Sequence, residues 1–175
     1  MAEILVAYST VDGHTLTICE RLADLLRERG HAVRLWAIDE GGSIGLEPFD
    51  RIVIGASIRY GKHRKQVNDF IDTHLAELEQ KPSAFFSVNV VARKPEKCSP
   101  ETNPYLQKFL RTIRWQPRLL GVFAGKLDYP SYGFWDRLAI RFIMWMTKGP
   151  TDPTAIIEFT DWEQVDEFGR RVAEL

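Results

Sequence analysis

Residues 9–15 read STVDGHT, setting the hydroxyls of Ser9, Thr10 and Thr15 around an Asp12–Gly13–His14 step. At the head of a helix, such a run is suited to an anion. The first helical turn leaves N–H groups unpaired and carries roughly half a positive charge. Gly13 lets the backbone approach closely, and the hydroxyls donate. No lysine is present, and both GxxxxGK[ST] and GxGxxG are absent. The combination points to a terminal monophosphate held by amides and hydroxyls, as FMN requires. The competing reading makes Asp12 a simple helix cap. Beside a dianion Asp12 is awkward, so it would cap sideways or take a ribityl hydroxyl, with His14 as an added donor.

Two further stretches carry chemistry. SIRYGKHRKQ, residues 57–66, holds five basic or potentially basic side chains in ten positions, and NVVARKPEK adds Arg93, Lys94 and Lys97. One reading is a solvated charge run. The other is a rim for substrate carboxylates, at Arg59, Arg93 or Lys94, because guanidinium pairs with carboxylate in a bidentate way. Ser87, Val88 and Asn89 would offer N–H groups and an amide to a flavin ring, which tunes its potential. No essential acid or base is assigned: released protons go to water or to His63. No metal site is expected.

These residues need elements to hold them. Ile4–Tyr8 is a continuous apolar run, the pattern of a strand covered on both faces. From His14 to Arg29, Ile18, Leu22, Leu25 and Leu26 recur at helical spacing, with Gly30 as C-cap. Further strands are expected at 31–38, 51–56, 83–91 and 119–124, and helices at 66–78, 105–113 and 161–175. Strands alternating with helices imply a doubly wound α/β fold: a five-stranded parallel sheet in a three-layer α/β/α arrangement. In such sheets ligands bind beyond the carboxyl ends of the strands, where the three loops above emerge.

At 175 residues the chain is expected to form one domain, residues 1–175. A net charge of −1 gives no general pull toward nucleic acid. Two cysteines, Cys19 and Cys98, with no signal-peptide pattern, fit a reducing compartment. No apolar run is long enough to span a bilayer.

Residues 128–153 are more than this fold needs and are expected to be an insertion. Taking 134–148 as a helix at 100° per residue, Asp136, Arg137, Arg141, Thr147 and Lys148 fall within an arc of about 140°. Opposite lie Phe134, Trp135, Leu138, Ile140, Phe142, Ile143, Trp145 and Met146. That apolar arc is wide for a surface helix. It is read either as buried in its own domain or in a homo-oligomer contact, or as lying in a membrane interface. In the membrane reading Phe134, Trp135, Phe142 and Trp145 enter the bilayer while Arg137, Arg141 and Lys148 meet lipid phosphates.

YSTVDGHT resembles the phosphate loop of the flavodoxin family, with Thr10, Asp12, Gly13, His14 and Thr15 at its ligand positions; Val11 and Asp12 stand where that family usually carries hydroxyls. GASIRYG resembles its second flavin loop, with Tyr60 where a stacking aromatic often sits. GASIRYG together with SVNVVARKPEK and the late TDWEQV resembles, through nearly the whole chain, the HemG-type menaquinone-dependent protoporphyrinogen oxidases. The resemblance implies an FMN site made by Ser9, Thr10, Asp12, Gly13, His14 and Thr15, by Ser57, Ile58, Arg59, Tyr60 and Gly61, and by Phe86, Ser87, Val88, Asn89, Val90, Val91 and Ala92. It implies three two-electron oxidations of protoporphyrinogen IX, a late step of haem synthesis, with electrons passed to menaquinone or ubiquinone. It also implies a cytoplasmic protein peripherally associated with the inner face of the cell membrane. The competing functions are a flavodoxin-type electron carrier, disfavoured by the basic loops, and an NAD(P)H-quinone reductase, for which no nicotinamide motif is visible.

Overall fold

Ile4, Leu5, Val6 and Ala7 are all fully buried in β1 (Glu3–Ser9). Adjacent strand residues point to opposite faces, so a run without polar alternation must be covered on both. The computed structural model describes residues 1–175. β1 pairs in parallel with β2 (Ala32–Ala37) on one side and β3 (Arg51–Ser57) on the other; β4 (Ser83–Val88) and β5 (Leu119–Phe123) continue the sheet. The strand order is β2-β1-β3-β4-β5.

One face of the sheet is covered by α1 (His14–Glu28) and α6 (Trp162–Glu174). Ile18, Leu22 and Leu26 of the first pack with Val165, Phe168 and Val172 of the second over Ile4, Val6, Val53 and Phe86. On the other face, α2 (Lys65–Thr73), α3 (Leu75–Gln80) and α4 (Pro104–Leu110) set Val67, Ile71, Leu78, Leu106 and Phe109 against Leu5, Ile52, Ile54 and Phe85. Burying each such aliphatic or aromatic side chain contributes roughly 1.5–3 kcal/mol before entropy is counted.

The helix expected at 66–78 is divided at His74. Thr73 Oγ1 donates to the Asp69 carbonyl at 2.7 Å, and this back-bond to the preceding turn bends helices. The strand expected at 83–91 ends at Val88, and Val90–Arg93 and Pro95–Lys97 are 3₁₀ turns.

After β5 the chain adds a second, two-stranded antiparallel sheet, β6 (Lys126–Asp128) with β7 (Ile156–Glu158), and between them α5 (Phe134–Met146). Three-residue strands carry too little pattern to be read from sequence. This segment has its own small core of Leu127, Tyr129, Tyr132 and Met144. No helix is long and apolar enough to cross a membrane.

Candidate active site

The STVDGHT segment is the joint between β1 and α1. Ser9 Oγ and Thr10 N–H donate to the Asp39 carboxylate at 2.9 and 3.0 Å, which fixes the loop to the end of β2. Thr10 Oγ1 accepts from Gly13 N–H at 3.0 Å. Gly13 stands at the head of α1 with φ 84°, a left-handed conformation that suits glycine. No side chain caps α1. Asp12, weighed as the cap, instead pairs with Arg59 Nη1 at 3.3 Å. The first-turn amides of α1 therefore remain available. Thr15 lines the cleft above them, and its buried Oγ1 has no hydrogen-bond partner. A buried hydroxyl left unpaired is costly, so this atom is set for a ligand. His14 is not a free donor: its Nε2 hydrogen-bonds Thr160 Oγ1 at 2.6 Å, and burial pushes its pKa down.

The second loop is a tight turn. Arg59 and Lys62 exchange backbone hydrogen bonds at 3.0 and 3.2 Å, and the two corner residues, Tyr60 (φ 51°) and Gly61 (φ 77°), are both left-handed. That is the pattern of a type I′ turn. Glycine adopts it freely, whereas tyrosine is strained there. Tyr60 is largely exposed and donates its hydroxyl to the Asp136 carboxylate. Arg59 lies between two carboxylates, Asp12 at 3.3 Å and Asp136 at 2.5 Å. Ser57 Oγ is buried without a partner and lines the same cleft.

His63 does not reach the cleft. It is 6% exposed, wedged edge-on against Phe85 and Phe109, with Nδ1 3.1 Å from the Ser57 carbonyl. Burial pushes its pKa down to about 4, so it is neutral and braces the loop. The reading of His63 as a proton acceptor is corrected on that ground.

In the third loop Val88, Asn89, Val90 and Val91 line the cleft. The Asn89 amide, expected to face a flavin, is turned inward. Its Oδ1 accepts from Ala92 N–H at 3.0 Å and from Asn103 Nδ2 at 3.1 Å, and its Nδ2 donates to Ser87 Oγ at 3.3 Å. Asn103 Nδ2 also donates to the Lys97 carbonyl at 2.9 Å, so two buried amides hold the loop's shape. Phe86 is buried among Phe123 and Phe168 on the α6 face, and Ala92 packs into the core of the opposite face. Neither lines the cleft, and neither does Ser87, Ser9 or Gly13. Phe86 shares a sheet face with Val88 but lies two residues deeper in β4, away from the strand end that borders the cleft.

Arg93 and Lys94 also lie outside the cleft. The Arg93 guanidinium donates to the Val90 carbonyl at 3.0 Å and to the Thr147 carbonyl and Oγ1 at 3.1 Å, clamping the end of α5. Of the three expected carboxylate partners, Arg59 alone faces the cleft.

The fourth wall was not anticipated. Lys126, Leu127 and Asp128 of β6, Ser131 and Tyr132 of the following turn, and Ile140, Ile143 and Met144 of α5 close the cleft, with Val11 and Tyr105 at its sides. Burial pushes the Tyr132 phenol up, so it stays protonated in this wall. α5 is inverted relative to an ordinary surface helix. Much of its polar arc turns toward the protein: Asp136 meets Arg59, Arg137 donates to the Tyr129 and Tyr132 carbonyls at 3.2 Å, and the exposed Arg141 donates to the Thr151 carbonyl at 2.9 Å. Its apolar arc faces outward, with Trp135 79%, Trp145 69%, Phe134 67% and Phe142 58% exposed. Arg137, expected to meet lipid phosphates, is half-buried with Nε and Nη2 on backbone carbonyls, whereas Arg141 is exposed and donates through Nε alone. Ile140 and Ile143, placed on the outer face by sequence, look inward. On a 100° wheel Ile140 and Met144 fall among the polar residues, which was the available signal.

The cleft thus offers free helix-terminal amides and orphaned hydroxyls from Thr15 and Ser57, all neutral donors, beside a long slot between two loops. This donor set fits the phosphate and ring of FMN.

A β2-β1-β3-β4-β5 parallel sheet with a cleft at the carboxyl ends of β1 and β3 defines a flavodoxin-type protein. Residues 5–154 match the flavodoxin domain family. A "Protoporphyrinogen IX dehydrogenase [quinone]" of Escherichia coli (strain K12) is 44% identical over 171 residues, covering 98% of this chain and 94% of that protein. One of the same name from Leishmania major is 45% identical over 173 residues, covering 98% and 74%. The chain belongs to the flavodoxin family and, within it, to the family of these quinone-linked dehydrogenases. Among solved structures, oxidised flavodoxin 1 from Bacillus cereus superposes with a TM-score of 0.58 at 17% identity, covering 98% of this chain and 97% of that one. Two-electron reduced Megasphaera elsdenii flavodoxin gives 0.58 at 11% identity, covering 98% and 99%. Those two likenesses establish the fold.

Proposed function

We propose that this chain is an FMN-dependent oxidoreductase that converts protoporphyrinogen IX to protoporphyrin IX and delivers the electrons to a respiratory quinone, menaquinone or ubiquinone, at a membrane surface. It works as one flavodoxin-like domain, residues 1–175, with residues 128–153 as a functional insertion. The relatives' shared name supports the substrate and the acceptor class. The observation that carries the reading is the double role of α5. Its inner face, Ile140, Ile143 and Met144, closes the cleft, while its outer face shows four large aromatic rings to solvent. An electron carrier that docks on soluble partners has no need of either; an enzyme for an apolar macrocycle and a lipid-borne quinone needs both.

In this reading the first-turn amides of α1, with Thr10 and Thr15, hold the FMN phosphate, and Ser57–Gly61 and Val88–Val91 flank its ring. Bound there, FMN supplies the two-electron chemistry. Arg59 binds a substrate carboxylate at the mouth. The apolar wall of Leu127, Ile140, Ile143 and Met144 excludes water and packs the macrocycle. Phe134, Trp135, Phe142 and Trp145 dip into the cytoplasmic face of the membrane, so that quinone arrives without crossing water. Self-association through the same rings is the competing use of that surface.

The test is anaerobic addition of protoporphyrinogen IX to FMN-loaded protein with a menaquinone analogue, followed by porphyrin fluorescence. Fluorescence growing in proportion to enzyme is expected. A rate equal to that of the uncatalysed control defeats the assignment.

A further inference from the structure

Arg59 meets more negative charge than it can neutralise. One guanidinium sits between the carboxylates of Asp12 and Asp136, and the second of these also accepts from Tyr60. The trio carries a net charge of about −1, so a further carboxylate cannot simply be added; it has to displace one already there. The two candidates differ in what they hold. Asp12 belongs to the phosphate loop. Asp136 lies in the first turn of α5, the helix whose Ile140, Ile143 and Met144 close the cleft. Asp136 is also bound to Tyr60, whose φ of 51° is a strained conformation for a large side chain and persists when surrounding contacts enforce it.

We propose that Asp136 is an internal stand-in for a substrate carboxylate: it occupies Arg59 and latches the N-terminal end of α5 over the cleft, and a ligand carboxylate releases the latch by taking its place. This rests on the functional reading above, which makes the ligand a macrocycle bearing propionates. Exchange trades one guanidinium–carboxylate pair for another, so the mouth opens at little net cost for an acid and stays shut for a neutral molecule of the same shape. Asp136 is thereby a specificity-determining residue, and Tyr60 reports the state of the latch. Arg137 on the Tyr129 and Tyr132 carbonyls and Arg93 on Thr147 keep the rest of α5 attached, so release of Asp136 loosens its first turn.

The experiment compares FMN-loaded wild type with Asp136→Asn. Its probes are protoporphyrin IX, which bears both propionates, and its dimethyl ester. The diacid is expected to bind the variant about tenfold more tightly than wild type, because no internal carboxylate competes; the ester, which cannot release the latch, is expected to bind wild type weakly and the open variant more tightly. Trypsin cleavage at Arg137, Arg141 and Lys148 reads the latch directly. In wild type it speeds up when diacid is added and stays constant with ester, and in Asp136→Asn it is fast without ligand. Tyr60→Phe removes one hydrogen bond and no charge, so cleavage without ligand speeds up less than in Asp136→Asn, and diacid affinity rises by less than tenfold. Circular dichroism and thermal melts check that both variants fold. Equal diacid affinity in wild type and Asp136→Asn, or equal cleavage rates without ligand, overturns the proposal. Porphyrinogen turnover separates the two levels. Identical binding with turnover intact overturns the exchange alone; no turnover and no porphyrin binding removes the functional reading, and the exchange with it.

Discussion

Replacing Phe142 and Trp145 together by serine tests the outward face of α5. The rings stand 6.0 Å apart, and both are more than half exposed, so they contribute little to folding. Full burial of a side chain of this kind is worth roughly 1.5–3 kcal/mol, and with over half of each surface still to be covered, entry into the lipid interface gains about 1–1.5 kcal/mol per ring. The pair then accounts for about 2–3 kcal/mol, or roughly 30- to 150-fold in partition. Co-sedimentation with anionic vesicles measures the partition, and a thermal melt without lipid measures stability. The double variant is expected to lose vesicle binding by that factor with its melting temperature unchanged or slightly raised. The inward-facing Met144, 1% exposed, gives the opposite pattern: Met144→Ala costs about 2–5 kcal/mol of stability and leaves the outer face intact. A melting temperature several degrees lower refutes the inverted orientation of α5, and unchanged partition of the double variant refutes its membrane contact. Concentration-dependent dimerisation lost together with an absence of vesicle binding assigns the face to a second copy of the chain.

Thr15→Val is expected to hold or raise the stability of cofactor-free protein, since it removes a buried hydroxyl with no partner, while weakening FMN binding about tenfold by fluorescence titration. Gly55→Ala is expected to destabilise by about 1–3 kcal/mol in urea unfolding, because the new Cβ would lie 2.2 Å from Phe86 Cζ in the middle of the sheet. His63 makes stability depend on pH. The folded imidazole is pushed down to about 4 from an ordinary value of 6.5, so the unfolded chain takes the proton first. Stability is fully present above about pH 6.5 and falls as the pH drops toward 4, by about 3 kcal/mol in all. Urea unfolding across that window measures the loss, and His63→Phe is expected to flatten it.

The sequence by itself determined the sheet. A run such as Ile4–Ala7 is buried on both faces only in a parallel sheet with helices on each side, and alternation with amphipathic helices then fixes the layers. It also placed the three loops at one edge, since in a doubly wound sheet the joints after β1, β3 and β4 all emerge there. These are local or topological facts, carried by periodicities of two and 3.6. Which side chains of those loops face the cleft was decided only by tertiary structure. Asn89 and Arg93 have the right chemistry for a flavin or a propionate, yet each is drawn away by a partner distant in sequence: Asn103 for the first, Thr147 for the second. Orientation of α5 was decided in the same way. A helical wheel gives its two faces but not which one is outward, because the usual rule that apolar residues turn inward fails when the inner wall supplies carbonyls and Arg59 as partners for the polar arc. Asp136 reaches back to Arg59 and Tyr60, far along the chain, while Arg137 and Arg141 bond carbonyls of the same segment, and helical periodicity records neither kind of partner.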